Sequence, residues 1–406
     1  MIHSMKYNIT NLKNNIRVAS CSIDNVESVS IGIWVDIGAR YENTTNNGIS
    51  HFLEHMVFKG TKTRTAKKIA EEIENVGGYM NAYTTNETTA FYVKVLKDDV
   101  ALGLELLSDM LLNSIFTDIE KEKQVVLQEI SQTYDNPADI VFDYFHSHCF
   151  CHQKLGQTVL GNSEVVKSIT TDDLYKYLSN YFSNKKLIIS SAGNCDHATL
   201  LNYVEKYFTR HIESRHDVII SEKGFFNPDN FIEKRKELEQ SQVLIGFEGV
   251  KREDEDYYPL LAFSSIFGGG MSSKLFQEIR ENMGFAYSVY SFLSNYRDTG
   301  VFGIYVGTSH DKYKDAIETS LNELKTFDIT DEEMLRAKNQ MKASFLMADE
   351  NPFSVAERMA NQLFIIDRIR NRDEILQAIN SVTKDDVMRM KEKLLASKIS
   401  EVIITK

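Results

Sequence analysis

The chain repeats itself, and the repeat constrains its fold more than any other feature. Residues 117–137 read TDIEKEKQVVLQEISQTYDNP, and residues 330–352 read TDEEMLRAKNQMKASFLMADENP. Each opens on a Thr-Asp helix start, runs through a helix and closes on acid-Asn-Pro. Pro137 and Pro352 stand at matching places in a chain with only four prolines. The flanks repeat in the same order. Val29, Ile31, Ile33, Val35 and Ile37 alternate with smaller or polar residues, the period of a half-buried strand. Residues 243–247 form the matching strand. A helical segment ending at Phe58-Lys-Gly pairs with one ending at Phe267-Gly-Gly-Gly. Ile69, Ile73 and Val76 lie at helical spacing and stop at Gly77-Gly78, as residues 275–279 stop near Gly284. Strand material follows at 79–95 and at 285–306, then helices from Asp99 and near Tyr313. This order predicts an α+β protein of two homologous domains, each a mixed, mostly antiparallel sheet covered by helices. Their expected bounds are 1–213 and 232–406, with a linker at 214–231 containing Gly224 and Pro228. A length of 406 residues suits two domains of about 200 each.

Composition excludes several classes of function. A net charge of −12 leaves no excess of Lys and Arg to displace counterions, so nucleic acid is not an expected partner. No segment is long and apolar enough to span a bilayer. The first residues lack both the apolar run of a secretory signal and the Arg-rich pattern of a transit peptide. Cys21, Cys149, Cys151 and Cys195 do not make a disulfide-scaffold pattern. The expected location is the reducing cytosol, with a processed organellar protein as the alternative.

Residues 51–55 read His-Phe-Leu-Glu-His. On a helix, His51 and His55 stand one turn apart on one face, where two imidazoles share a metal. Glu54 leans over the same face, next to the metal but free to act as a base. Phe52, Leu53 and Met56 give the helix an apolar back. A catalytic zinc site takes three protein ligands and keeps one position for water, so a third ligand is required. Glu122 and Glu129 lie seven residues apart, nearly two turns, on the helix expected at 118–135. Glu129 sits among Val125, Val126, Leu127 and Ile130, costly company for an unpaired carboxylate. The repeat supplies a control. Leu260, Phe263 and Ser264 match His51, Glu54 and His55, while Ala337 and Ser344 match Glu122 and Glu129. The constellation is whole in one copy and absent from the other, so the fold alone does not require it.

The segment Gly48-Ile-Ser-His-Phe-Leu-Glu-His-Met-Val-Phe-Lys-Gly-Thr resembles the active-site segment of the pitrilysin family of inverted-motif (HxxEH) zinc metallopeptidases. That family includes insulin-degrading enzyme and the mitochondrial processing peptidase. The resemblance covers nearly the whole chain, including Asn81-Ala-Tyr-Thr, the Glu122/Glu129 pair, residues 268–280 and residues 286–290. The interval from His55 to Glu129 is slightly shorter than in relatives, and the Glu122/Glu129 pairing fixes the register. The resemblance implies one zinc per chain, bound by His51, His55 and Glu129, with Glu54 activating water. It implies that Glu122 orients a ligand and that Asn81 and Ala82 lie on an edge strand pairing with substrate backbone. It implies that Arg280 and Tyr287, from the metal-free domain, contact the substrate. The implied activity is hydrolysis of short or unfolded peptides by a homodimer. A heterodimer with a metal-free homologue, as in processing peptidases, is the alternative, and a non-catalytic structural relative is a further one.

One further segment, His146-Ser-His-Cys-Phe-Cys-His152, crowds five ligand-type side chains into seven residues. It is too tight for a C-x-x-C zinc knuckle, and no partner pair is evident elsewhere, so the sequence reads it as a helix end before Gly156.

Overall fold

The structure is a computed structural model, and it describes residues 5–13, 16–181, 187–208 and 221–406. Residues 214–220 of the expected linker lie outside the described residues. The chain forms two compact units. One comprises Met1–Ile130, Gln157–Glu222 and Met347–Asn371, the other Ser131–Gly156, Lys223–Leu346 and Arg372–Lys406.

Among the described residues, the first unit holds six strands: β1 (Tyr7–Asn11), β2 (Arg17–Ser22), β3 (Ser28–Val35), β4 (Tyr79–Thr84), β5 (Thr89–Leu96) and β6 (Leu187–Gly193). They lie in the order β1-β2-β6-β3-β5-β4. The second unit holds β7 (Phe231–Lys234), β8 (Ser241–Glu248), β9 (Ala286–Asn295), β10 (Gly300–Thr308) and β11 (Ile399–Thr405). Their order is β7-β11-β8-β10-β9. Without the edge strand β1, the two orders match strand for strand. The strand directions match too: β2 and β6 run parallel, as do β7 and β11, and the remaining neighbours are antiparallel. A shared order and a shared set of directions are what internal duplication leaves behind.

Five helices matter for the site: α1 (Ile49–Met56), α2 (Ala66–Asn75), α3 (Val100–Asn113), α4 (Ile119–Asp135) and α5 (Pro137–Cys149). α2 closes at Gly77, whose φ of +65 is the left-handed conformation that glycine adopts without penalty.

The packed units are not the two continuous stretches expected from the sequence. Each takes one helix from the other half of the repeat. Val141, Phe145 and Cys149 of α5 pack with Leu244 of β8 and with Val402 and Ile404 of β11 in the second unit. A Cβ on Gly246 would lie 2.7 Å from Phe145, so α5 requires a glycine beneath it. Reciprocally, Val355, Met359 and Leu363 of the Pro352–Ile366 helix pack with Ala19, Trp34, Ala90 and Ile188 of the first sheet. The acid-Asn-Pro sequences explain where these helices begin. Asn136 and Asn351 are their N-caps, accepting from the N–H groups of Ala138 and Phe353, and a proline follows at the first turn of each.

This exchange corrects a second expectation. Val29, Ile31, Ile33 and Val35 of β3 share a core with Phe52, Leu53 and Met56 of α1 and Leu104 and Leu107 of α3. The opposite face of β3 is buried as well, because Trp34 lies beneath the Pro352–Ile366 helix. The strand is therefore covered on both faces rather than half-buried. The described part of the expected linker is also packed: the Gly224 N–H donates to Asp298 at 2.8 Å, within the second unit. Residues 276–282 form a π-helix rather than the α-helical end expected there. Among the described residues, no helix is long and apolar enough to cross a membrane.

Candidate metal centre

α1 is only eight residues long, and it needs outside help at its N-terminus. Its N-cap is Gly48, with a φ of +97 and no side chain to offer. A Cβ on Gly48 would lie 2.8 Å from the Cα of Gly161, so close packing demands a residue that cannot cap. The missing acceptor is Glu42, which is fully buried. Its Oε2 accepts from the Gly48 N–H at 2.7 Å and from Asn47 Nδ2 at 2.9 Å, and its Oε1 accepts from the Ser50 N–H at 2.8 Å. Burial pushes the Glu42 carboxyl up to about 7, against the pull of these donors. Ser50 Oγ in turn lies 2.7 Å from the hydroxyl of buried Tyr177. Glu42→Ala is expected to orphan these buried donors, each costing about 1–3 kcal/mol. The melting temperature and zinc affinity should fall together, which calorimetry and zinc titration would read.

Held this way, α1 turns Phe52, Leu53 and Met56 into the core and presents His51, Glu54 and His55 together. The two imidazole rings are 4.7 Å apart, edge to face. Glu129 reaches them from α4. Its Oε2 lies 3.7 Å from His51 Nε2 and 3.5 Å from His55 Nε2. Glu122, two turns earlier on the same face, contacts the other side of His55, with Oε1 2.9 Å from Nδ1. Glu122 Oε2 is 2.7 Å from Lys59 Nζ, which balances its buried charge. The Glu122 contact assigns the His55 proton to Nδ1 and leaves Nε2 with its lone pair facing Glu129.

These distances test whether a metal fits. Glu129 Oε2 is buried and has no hydrogen-bond partner. An oxygen enclosed without a donor is costly. Zinc bonds of about 2.0–2.1 Å at tetrahedral angles place two ligands about 3.4 Å apart. The separations to the two Nε2 atoms are close to that value and longer than good hydrogen bonds. His51, His55 and Glu129 thus converge as a ligand group with two nitrogens and one carboxylate oxygen. His51 is buried, and burial, with neighbouring His55, pulls it down to about 4, which favours the neutral imidazole that a metal ligand requires. Among its sequence neighbours on α4, Val126 is buried but Val125 is 43% exposed, so only part of the expected apolar company surrounds Glu129.

Glu54 does not join the ligand group. Its Oε2 accepts from the Thr84 hydroxyl at 2.6 Å. Burial raises its carboxyl above the usual range and the charge of Glu129 adds to that, while Thr84 and His55 oppose it. Thr84 ends β4, one of the two edge strands of its sheet, which also carries Asn81 and Ala82. The Asn81 side chain is exposed, donating to the Tyr79 hydroxyl at 2.7 Å and accepting from the Ala82 N–H at 2.9 Å. In the second unit, Arg280 lies over the ring of Tyr287 at 5.0 Å and over Phe276 at 4.8 Å. Tyr287 is 73% exposed. The helix Tyr257–Gly268 is the counterpart of α1, and there Leu260, Phe263 and Ser264 are buried where α1 bears its metal-facing residues.

Glu42, Lys59 and Thr84 escaped the sequence reading. The one available signal was the glycine at the N-cap of α1, which implied a capping group from elsewhere. Glu122→Gln is expected to weaken metal binding about 10–100-fold, because the His55 proton loses its charged acceptor. Competitive titration against a chelator would measure it.

Comparison with known proteins places the chain in a family. Residues 17–163 match the family model described as insulinase (peptidase family M16). Residues 168–341 match the model described as the peptidase M16 inactive domain, consistent with the metal-free second copy. The chain is 38% identical over 405 residues to an uncharacterised zinc protease of Rickettsia felis, covering 98% of this chain and 97% of that one. It is 36% identical over 398 residues to the uncharacterised zinc protease YmxG of Bacillus subtilis, covering 97% of each. It is 33% identical over 400 residues to the mitochondrial-processing peptidase subunit beta of Saccharomyces cerevisiae, covering 93% of this chain and 86% of that one. Its fold matches the crystal structure of a protease from Helicobacter pylori, with a TM-score of 0.90 at 21% identity, over 99% of this chain and 100% of the other. With both domain models matched and full-length relatives well above 30% identity, the chain belongs to peptidase family M16, the insulinase or pitrilysin family of zinc proteases.

Proposed function

We propose that this chain is a zinc metalloendopeptidase that cleaves short or unfolded peptides. The observation that carries the reading is the enclosed Glu129 Oε2, set at ligand spacing from two Nε2 atoms and bonded to nothing in the chain. Zinc there supplies Lewis acidity toward a scissile carbonyl and lowers the pKa of water. His51, His55 and Glu129 fix its position. Glu54 takes the proton of the attacking water and returns it to the leaving amine. The Thr84 hydroxyl holds one Glu54 oxygen, which leaves the other for proton transfer. The outer edge of β4, at Asn81 and Ala82, pairs with the substrate backbone as an added strand. The family resemblance further assigns Arg280 and Tyr287 to contacts with the substrate.

The test is cleavage of a mixed library of unstructured peptides by the purified chain. Cleavage should vanish on chelation and return with zinc. A chain that holds zinc and cleaves nothing would contradict the reading.

A second reading has the beta-subunit relatives in its favour: this chain is then the catalytic subunit of a presequence peptidase with a metal-free partner. We favour a homodimer, because one chain carries both the metal-bearing and the metal-free domain. The mass in solution of protein expressed alone, with its peptidase activity, separates the two. None of the four cysteines takes part in a disulfide, which supports a reducing location.

A further inference from the structure

The His- and Cys-rich segment at 146–152 has a partner that the sequence did not disclose. His148, in the last turn of α5, and Cys151, two residues beyond that helix, meet Asp229, which lies just before β7. One ligand atom from each residue lies within 4.8 Å of the other two. The backbone fixes this meeting. The Asp229 N–H donates to His148 O at 2.8 Å, and the Asn227 N–H donates to Cys149 O at 3.0 Å. The Cys151 N–H donates to Asn227 O at 3.3 Å, and Asn227 Nδ2 donates to Cys151 O at 3.1 Å. The His148 ring stacks on Phe231, with centroids 4.7 Å apart and planes at 22°, which sets its orientation. Its Nδ1 is enclosed without a hydrogen-bond partner.

We infer that His148, Cys151 and Asp229 bind a second divalent transition-metal ion of the zinc class. Sulfur, nitrogen and carboxylate oxygen together suit a borderline-soft ion better than calcium or magnesium. A water fills the fourth position. Zinc–sulfur bonds of about 2.3 Å and zinc–nitrogen bonds of about 2.0–2.1 Å require the three donors to close by at most about 1.4 Å. Half-buried Cys151 and exposed Asp229 have room for that rotation. The sequence search for pairs of Cys and His missed the site because its third member is a carboxylate on a distant segment. The ion pins the end of α5 to the strand entering the second sheet, and so fastens the helix that this unit takes from the other half of the repeat.

The test uses the whole chain, stripped of metal and titrated with cobalt(II). The His51/His55/Glu129 group contains no sulfur, so a near-ultraviolet thiolate-to-cobalt charge-transfer band reports the second site alone. The band should appear with wild type and with Glu129→Gln, and disappear with Cys151→Ser. Asp229→Asn, a surface change that leaves the fold intact, should weaken cobalt binding at the thiolate site about tenfold or more. Zinc should slow alkylation of Cys151 about tenfold, read by mass spectrometry. Cobalt bound with no thiolate band, or a band that persists in Cys151→Ser, overturns the inference. Alkylation of Cys151 unaffected by zinc overturns it as well.

Discussion

Replacing Glu54 with Gln is expected to leave zinc bound and to lower peptide turnover about a hundred- to ten-thousandfold. The amide keeps the size of the carboxylate and its oxygen still accepts from the Thr84 hydroxyl, so α1 and its core contacts should persist. What disappears is the capacity to take a proton from water. The separation of effects is the point: metal content unchanged, KM little changed, kcat collapsed. A variant that lost zinc as well would make Glu54 part of the ligand group. A variant that kept full turnover would move the base elsewhere.

Glu129→Gln is expected to act on the other half of the site. The three ligands provide one negative charge against a divalent ion, and this substitution removes it. The buried Oε2 is the atom that faces both imidazoles, and a neutral amide oxygen there is a poor ligand. Zinc affinity should fall well beyond the effect of Glu122→Gln, by more than about a hundredfold, and activity should fall with zinc occupancy. Excess zinc should restore part of the activity, because Glu54 and both histidines remain. Equal losses from Glu122→Gln and Glu129→Gln would put the two carboxylates in the same role, against the geometry.

Some of this site is legible in the sequence because its geometry is local. His51, Glu54 and His55 carry their own spacing along one helix, and seven residues place Glu122 and Glu129 on one face of another. The repeat is legible for the same reason, since element order survives where side chains have diverged. What is not legible depends on distant segments. Glu42 caps α1 from a preceding loop, and only the glycine at the N-cap hints that a cap is needed. The second buried face of β3, at Trp34, is not legible from the alternation, because the helix that covers it arrives from beyond residue 350. The carboxylate that completes the His148 and Cys151 cluster sits on a separate segment, and no local spacing announces it.

The most direct test of the central claim is a crystal of the zinc-supplied chain measured on either side of the zinc absorption edge. The account predicts an anomalous peak about 2.0–2.2 Å from His51 Nε2, His55 Nε2 and Glu129 Oε2, with Glu54 outside bonding distance. No peak at these atoms, in a protein that nevertheless cleaves peptides, would contradict it.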